Sequence, residues 1–310
     1  MDYVDATGEP LIHDGNYAEV INPALPDGTR GMHGLLPRDY RTHPLGYYSW
    51  ATAVDFPLIP QSEWAARVAD MIAQRSQLSD LRNTGMNGQP IPSRDQNGKG
   101  YCWAHSGVSA HLLIRAKQGQ PYADLSAYSI ACQIKNFQDQ GGWGPAGIDW
   151  QIKNGCATSK TWPQQSMART NVNEAMKQDA LAHQVIGQWA DVQTPQYDRN
   201  LSWQQNVTLW LSRCATTADF NWWSHSVCGC DLVNGDQMYG RTRRGDGKLP
   251  SLREFMRMWD VDNPITTGFG LRIWNSWGDT WGQKGMGVLT GNKAIPDGSV
   301  GVRTVDLTPG

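Results

Sequence analysis

The chain has 310 residues, a formal net charge of −2 and only 18% charged residues. This length suits one large domain, or one domain with an appendage. The near-neutral charge argues against a nucleic acid or an anionic membrane as partner. The one basic cluster consists of Arg241, Arg243, Arg244 and Lys248, and the glycines around it indicate a solvated turn. No apolar run approaches the ~20 residues that span a bilayer. The acidic N-terminus leads into no apolar segment, so we expect no secretory signal and a cytoplasmic or particle-associated location rather than a secreted one.

The first 77 residues are predicted to form an N-terminal arm. Residues 1–61 are rich in Pro, Gly, Asp and Asn and show no sustained periodicity, which predicts an extended segment lying over its own domain or over a partner. Apolar residues at helical spacing then predict one helix near 62–75, with Ser62 as its N-cap. Its apolar face would consist of Trp64, Val68, Met71 and Ile72.

Helical patterns come first in residues 78–310 and strand patterns follow, which predicts an α+β fold. A central helix should begin at Cys102, directly after a Gly-Lys-Gly turn. Further helices are predicted at Ser126–Cys132, Ala146–Lys153, Asn173–His183 and Ser202–Arg213. Alternating apolar residues and β-branched or aromatic side chains predict strands around Asp219–Trp223, Ser226–Leu232, Gly268–Trp274 and Met286–Leu289.

Three distant segments carry the residue types of a cysteine-nucleophile site. A thiol needs a base to become a thiolate, the base needs an orienting group, and the developing oxyanion needs hydrogen-bond donors. The segments supply one residue for each of these needs: Cys102, His225, Asn275 and Gln96. The cysteine at the start of a helix also has free backbone N–H groups beside it, which stabilise a thiolate.

The motifs around these residues resemble those of the papain-like cysteine peptidases. That family carries a Gln six residues before its nucleophile and Trp-Ala directly after it, as Gln96, Cys102 and Trp103-Ala104 stand here. It closes with Asn-Ser-Trp-Gly, a second Trp-Gly and a further Gly, which match 275–278, 281–282 and Gly285. Leu125-Ser126 and Gly141-Gly142-Trp143 resemble the segment that borders the family's substrate cleft. The resemblance spans roughly residues 78–289.

The resemblance implies a two-lobed fold with the cleft between the lobes. One lobe would be helical, at about 96–190, and the other an antiparallel β-barrel-like sheet, at about 200–300. It implies that Cys102 attacks, His225 takes the proton, Asn275 orients the imidazole and Trp277 shields that contact, while Gln96 lies in the oxyanion hole. Gly141, Gly142 and Trp143 would border the peptide substrate. It implies no cofactor and no metal, and the Cys228-x-Cys230 pair is weak evidence for zinc.

The sequence departs from the family pattern at several places. Lys99 and Asp139 stand where the family commonly has a disulfide, and a charge pair could fill the same gap. Tyr101 replaces a small residue before the nucleophile and could narrow a substrate pocket, and His105 replaces an aromatic residue that we expect in the core. Asn275 follows His225 by 50 positions, which exceeds the family's usual hairpin, so we place an insertion at about 234–269. Within it, Ser251 and Glu254 indicate a capping box, followed by apolar residues at helical spacing: Leu252, Phe255, Met256 and Trp259.

Three functions fit these features. The first is a peptidase that hydrolyses peptide or amide bonds through an acyl-thioester. The second is a papain-fold protein with little or no activity that serves as a structural or binding subunit of a larger assembly, such as a virion component. The third is a lytic enzyme that cleaves cell-wall peptides. The N-terminal arm could be an inhibitory prosegment or a docking arm for a protein partner.

Overall fold

The computed structural model describes residues 3–4, 8–21, 33–84 and 90–307. Within these ranges the helices are α1 (Tyr17–Ile21), α2 (Gln61–Ala73), α3 (Leu78–Thr84), α4 (Cys102–Lys117), α5 (Tyr128–Ile134), α6 (Gly144–Asn154), α7 (Glu174–Ala182), α8 (Arg199–Leu211) and α9 (Leu252–Trp259). The strands are β1 (Tyr3–Val4), β2 (Leu11–Ile12), β3 (Ala51–Ala53), β4 (Val185–Asp191), β5 (Thr216–Phe220), β6 (His225–Asn234), β7 (Arg243–Arg244), β8 (Phe269–Trp274), β9 (Met286–Thr290) and β10 (Gly298–Leu307). The predicted α+β class is confirmed.

One eight-stranded sheet forms most of the second lobe. Its order is β2-β9-β8-β6-β5-β10-β4-β3, and the pairs from β9 to β4 are antiparallel. The edge strands β2 and β3 are short and parallel to their neighbours β9 and β4. Because β2 and β3 lie at opposite ends of the strand order, the sheet is open. It does not close into the barrel that the resemblance led us to expect.

Helix α4 is the centre of the helical lobe. Every residue from Cys102 to Arg115 is buried, because α4 packs against α6 on one side and against β5 and β6 on the other. Its apolar residues share a core with α5 and with the faces of β6 and β8, where Cys228 and Trp274 lie. A helix buried all round is fixed by packing rather than by its own propensity. Cys102, at the start of α4, is thereby held at the junction of the two lobes.

Tryptophan fills a second core on the other face of the sheet. Six tryptophans pack there with apolar residues of α2, α8 and the strands: Trp64, Trp203, Trp210, Trp223, Trp277 and Trp281. None of the chain's tryptophans is exposed. The abundance of this residue therefore reflects core packing, for which its large area is suited.

The N-terminal arm contributes to both edges of the sheet and to this second core. Strand β2 pairs with β9, and β3 pairs with β4 at the opposite edge. Helix α2 buries Trp64 and Val68, whereas Ile72 of the predicted apolar face is 42% exposed. The helix begins at Gln61 after Pro60, so Ser62 lies in its first turn and is not the N-cap. The fixed φ of proline suits this boundary without a side-chain cap.

The predicted helix of the 234–269 segment is present as α9. Ser251 accepts a hydrogen bond from the Glu254 backbone and the Glu254 carboxylate accepts from the Ser251 backbone, so the capping box is confirmed. Its buried face differs from the prediction, because Leu252 and Met256 are exposed and Met258 is buried with Phe255 and Trp259. The sheet adds strands β4 and β10, which the sequence pattern does not predict. Their pairing partners are distant in sequence, and β4 lacks clear alternation.

Candidate active site

Cys102 is the first residue of α4 and its side chain is fully buried. Its thiol contacts the backbone of Ser226, the residue after His225, and that of Gly34 from the N-terminal arm. Burial raises the pKa of Cys102 to about 12, although these backbone contacts oppose the rise, and the nearby Asp219 carboxylate adds to it. The thiol is therefore protonated at neutral pH in this state.

His225 and Asn275 form the second part of the site. The His225 Nε2 and Asn275 Oδ1 atoms are 2.7 Å apart, and both residues are buried at the facing ends of β6 and β8. The ring of Trp277 lies 4.8 Å from the imidazole between centroids and covers it. Burial lowers the pKa of His225 to about 3, with the Asn275 contact opposing the shift. With Nε2 bound by Asn275, the buried Nδ1 has no hydrogen-bond partner within the described residues.

Gln96 joins the segment before Cys102 to the Asn275-Ser276 segment. Its backbone N–H donates to the Ser276 carbonyl at 2.9 Å, and its Oε1 accepts from Ser276 Oγ at 2.8 Å. Its Nε2 donates to the Lys99 carbonyl at 2.5 Å. The side chain is fully buried between these partners. The amide that the resemblance assigns to an oxyanion hole thus lies beside the turn that leads into Cys102.

A segment of the N-terminal arm lies in the cleft between the lobes. We call residues 33–40 the covering segment. Leu35 forms a parallel bridge with Gly142, in which Gly142 N–H donates to the Gly34 carbonyl at 2.8 Å and Leu36 N–H donates to the Gly142 carbonyl at 2.7 Å. On the opposite wall, Leu35 N–H donates to the Ser224 carbonyl at 3.0 Å. The segment therefore spans the cleft directly above Cys102, whose thiol contacts the Gly34 backbone.

Side chains of the covering segment fit closely against the site. The His33 ring is edge-on to His225 and Trp277, at 5.9 and 6.0 Å between centroids. At Gly34 a Cβ would lie 2.5 Å from the Gly100 Cα and closer still to the Gly100 carbonyl, so only glycine fits. Nothing in the composition of residues 1–61 signals this placement, because it rests on backbone hydrogen bonds and one close approach.

The predicted cleft glycines are where the covering segment binds. A Cβ at Gly141 would lie 2.7 Å from the Gly34 carbonyl oxygen, and one at Gly142 would lie 2.5 Å from the Trp103 ring. Trp143 follows and meets the arm through Tyr48, whose ring is stacked on it at 5.7 Å. Gly141, Gly142 and Trp143, three of the five residues assigned to the substrate, therefore contact the covering segment or the arm next to it.

The residues that depart from the family pattern each make defined contacts in the structure. Lys99 Nζ and Asp139 Oδ2 are 3.5 Å apart, so the expected charge pair is confirmed. Tyr101 is fully buried in the helical lobe and donates its hydroxyl to the Gln138 carbonyl at 2.8 Å, so its ring fills core space in this structure. His105 is buried edge-on against Tyr128, at 6.0 Å between centroids.

Asp219 is a buried polar residue near Cys102 that the sequence analysis did not identify. Asp219 of β5 accepts a hydrogen bond from Ser226 Oγ at 2.5 Å, and Ser226 Oγ also bonds Ser106 Oγ at 2.8 Å, one turn after Cys102. Burial raises the pKa of Asp219 to about 6, against the hydrogen bonds from Ser226 and Gly144. The residue order of β5 does not indicate this position, because all five residues of the strand are buried and Asp219 meets Ser226 through the pairing of β5 with β6.

Metal and disulfide chemistry are not indicated by the described residues. No group of three or more His, Cys, Asp or Glu side chains among them could hold a metal ion. All six cysteines are free thiols, and the Cys228 and Cys230 sulfurs lie 4.0 Å apart on one strand. Across the described ranges, every helix is too short or too polar to cross a membrane.

Comparison with known proteins gives structural neighbours only. No family model and no curated protein matches the chain. Procathepsin L2 from the larval midgut of Tenebrio molitor is 17% identical, with a TM-score of 0.51 over 88% of this chain and 78% of that one. Xylellain, a cysteine protease from Xylella fastidiosa, is 15% identical, with a TM-score of 0.49 over 88% and 96%. The proform of the ragweed pollen cysteine protease Amb a 11 is 15% identical, with a TM-score of 0.42, and this chain covers 62% of its length.

Proposed function

The fold of this chain is papain-like, and from that fold and the geometry of the cleft we propose that it is a latent cysteine peptidase. The observation that carries the proposal is the 2.7 Å contact between His225 Nε2 and Asn275 Oδ1, next to a cysteine that begins a buried helix. This contact leaves Nδ1 of the imidazole for the thiol. The proposal assigns the nucleophile to Cys102, the base to His225 and the orienting amide to Asn275.

The reaction would proceed through an acyl-thioester. His225 takes the proton of the Cys102 thiol, and the thiolate attacks the carbonyl carbon of a peptide bond. The backbone N–H of Cys102 and the Gln96 amide stabilise the oxyanion, and losing one such donor typically costs ~3 kcal/mol of transition-state stabilisation. His225 then returns the proton to the leaving amine, and water attacks the thioester with His225 again as base.

Latency follows from the covering segment. It takes up the hydrogen-bonding groups of Gly142 and Ser224 that an extended peptide would use. It also buries the thiol and the imidazole, which keeps both neutral, since burial disfavours the charged form of each. Of the two roles left open for the arm, an inhibitory one is therefore the better supported by its contacts.

The arm is tied to the sheet on both sides of the covering segment. Strand β2 precedes it at one edge and β3 follows it at the other. Displacement or cutting of the covering segment would open the cleft without removing either edge strand. Activation would then change the cleft while leaving the fold intact.

The test uses a full-length Gly34→Ala protein, in which the new methyl group cannot fit beside Gly100. We expect hydrolysis of denatured protein by this variant and none after Cys102→Ala or His225→Ala is added. A Gly34→Ala protein whose Cys102 alkylates readily but which hydrolyses no peptide bond would reject a peptidase. Cleavage of peptidoglycan fragments but not of denatured protein would select a cell-wall lytic enzyme.

A second candidate is a papain-fold structural or binding subunit. The observation that favours it is that the arm supplies both edge strands of the sheet and covers a fully buried, neutral thiol. A subunit of this kind would keep its cleft permanently covered. Loss of folding in Gly34→Ala, with wild-type Cys102 inert to iodoacetamide, would favour it over the peptidase.

A further inference from the structure

Arg38 of the covering segment is a buried cation in the cleft. Its guanidinium makes a two-pronged ion pair with Asp191 at the end of β4, with N–O distances of 2.6 and 2.8 Å. The Arg38 side chain is 5% exposed and that of Asp191 is 2% exposed. The guanidinium carbon also lies 5.3 Å from the centroid of Trp143, next to the glycines that bind the covering segment. This cation is therefore held at the wall of the proposed substrate cleft.

Asp219 is the second buried carboxylate on this side of the nucleophile. It lines the same small space as Arg38 and accepts a hydrogen bond from Ser226, whose backbone contacts the Cys102 thiol. A small cavity beside it is lined by residues of the covering segment and of the sheet lobe: Leu35, Arg38, Tyr40, Gln196, Asp219, Asn221, Asp297 and Gly298.

A buried hydroxyl with no partner lies beside Asp219. Thr217 is on the same face of β5, two residues earlier, and is fully buried. Its Oγ1 makes no hydrogen bond within the described residues. Thr217 Oγ1 and Asp219 Oδ1 both lie close to Gly144. A Cβ on Gly144 would be 2.9 Å from Thr217 Oγ1 and 3.3 Å from Asp219 Oδ1. An acceptor left unpaired in a buried site is a place where a ligand donor can bind.

Displacement of the covering segment would remove the Arg38 cation from Asp191 and from the neighbourhood of Asp219. Arg38 is the partner of Asp191 and a charge neighbour of Asp219, and it moves with the covering segment. An uncompensated carboxylate in a site of low polarity is costly, and a guanidinium or ammonium group is its natural partner. Trp143 offers the ring face on which such a cation can stack.

We propose that Asp191 and Asp219 make the opened cleft selective for peptides with an arginine or lysine side chain, which takes the place of Arg38. This rests on the proposed function, since it names the substrate class of the same cleft. The covering segment would then block the cleft partly by presenting the same chemical group that the substrate does. Asp191 supplies the bidentate carboxylate, and Asp219, which lines the cavity beside Arg38, supplies a second carboxylate next to the buried Thr217 hydroxyl.

The experiment compares arginine with citrulline, which has the same shape but no charge. A peptide library with one or the other at each position in turn is offered to full-length Gly34→Ala protein. We expect arginine to be favoured in kcat/KM at one position by roughly tenfold or more. Asp191→Asn and Asp219→Asn should each reduce that ratio, whereas Asp246→Asn on the exposed turn should leave it unchanged.

A binding measurement separates this proposal from the peptidase itself. The Cys102→Ala, Gly34→Ala protein cannot form a thioester, and tryptophan fluorescence can follow binding of the best arginine peptide and its citrulline counterpart. Tighter binding of the arginine peptide supports the proposal even when no bond is cleaved by the parent enzyme. Equal affinities, no binding of either peptide, or cleavage without a preference for arginine would overturn it.

Discussion

We predict that replacing Gly34 by alanine displaces the covering segment from the cleft. A Cβ at this position would lie 2.5 Å from the Gly100 Cα, where real Cβ atoms are essentially never found, so the Gly34→Ala protein cannot keep the covering segment in place. Three backbone hydrogen bonds hold it to the cleft walls through Gly34, Leu35 and Leu36. At ~1 kcal/mol each, their loss is worth about 3 kcal/mol, or roughly a hundredfold rise in the uncovered fraction.

The assay is the rate of Cys102 alkylation by iodoacetamide at pH 7.5, followed by peptide mapping in a mass spectrometer. We expect that rate to rise roughly a hundredfold in Gly34→Ala, because the thiol becomes accessible and can ionise beside His225. Gly240→Ala is the matched control, since a Cβ there meets nothing within 4 Å. Leu35→Ala removes buried contacts without a clash and should raise the rate by a smaller factor.

Two results would refute this reasoning. An unchanged Cys102 rate in a Gly34→Ala protein with a normal unfolding temperature would show that the covering segment does not control access. Alkylation of all six thiols together would show global unfolding instead. In that case Leu35→Ala decides, because a folded Leu35→Ala protein with the wild-type Cys102 rate would contradict the proposed cover.

The remaining predictions concern pH, the orienting amide and a helix cap. Burial lowers the pKa of three histidines to about 3, namely His105, His111 and His225. The free energy of unfolding should therefore fall as the pH drops from about 6.5 toward 3. At pH 5 each of these histidines lowers the free energy of unfolding by ~2 kcal/mol. The His105→Phe variant should lack one of these contributions, so its unfolding temperature should drop less between pH 7 and pH 5. Asn275→Ala in the Gly34→Ala background should lower kcat about 10- to 100-fold with little change in KM, because the imidazole loses its orientation. A rise in KM with an unchanged kcat would contradict this role. Ser251→Ala should lower the free energy of unfolding by ~1 kcal/mol in urea titrations without affecting alkylation, and no change would show that the cap of α9 is dispensable.

The amino-acid sequence by itself determined the local parts of this protein. Cys102 at the start of a buried helix, Asn275 in its motif and the capping box of α9 depend on residue types at fixed short spacings, so they could be predicted without a fold. The Lys99–Asp139 pair was also predictable, because the two charges replace two residues expected to be neighbours.

Only the tertiary structure decided where the N-terminal arm lies. The covering segment is held by backbone hydrogen bonds to Gly142 and Ser224, and backbone groups are the same in every residue, so no side-chain pattern announces them. The edge strands β2 and β3 are too short to show alternation and are defined by partners far away in the chain. The position of Asp219 beside Cys102 likewise depends on the packing of β5 under α4, which no spacing in the sequence encodes.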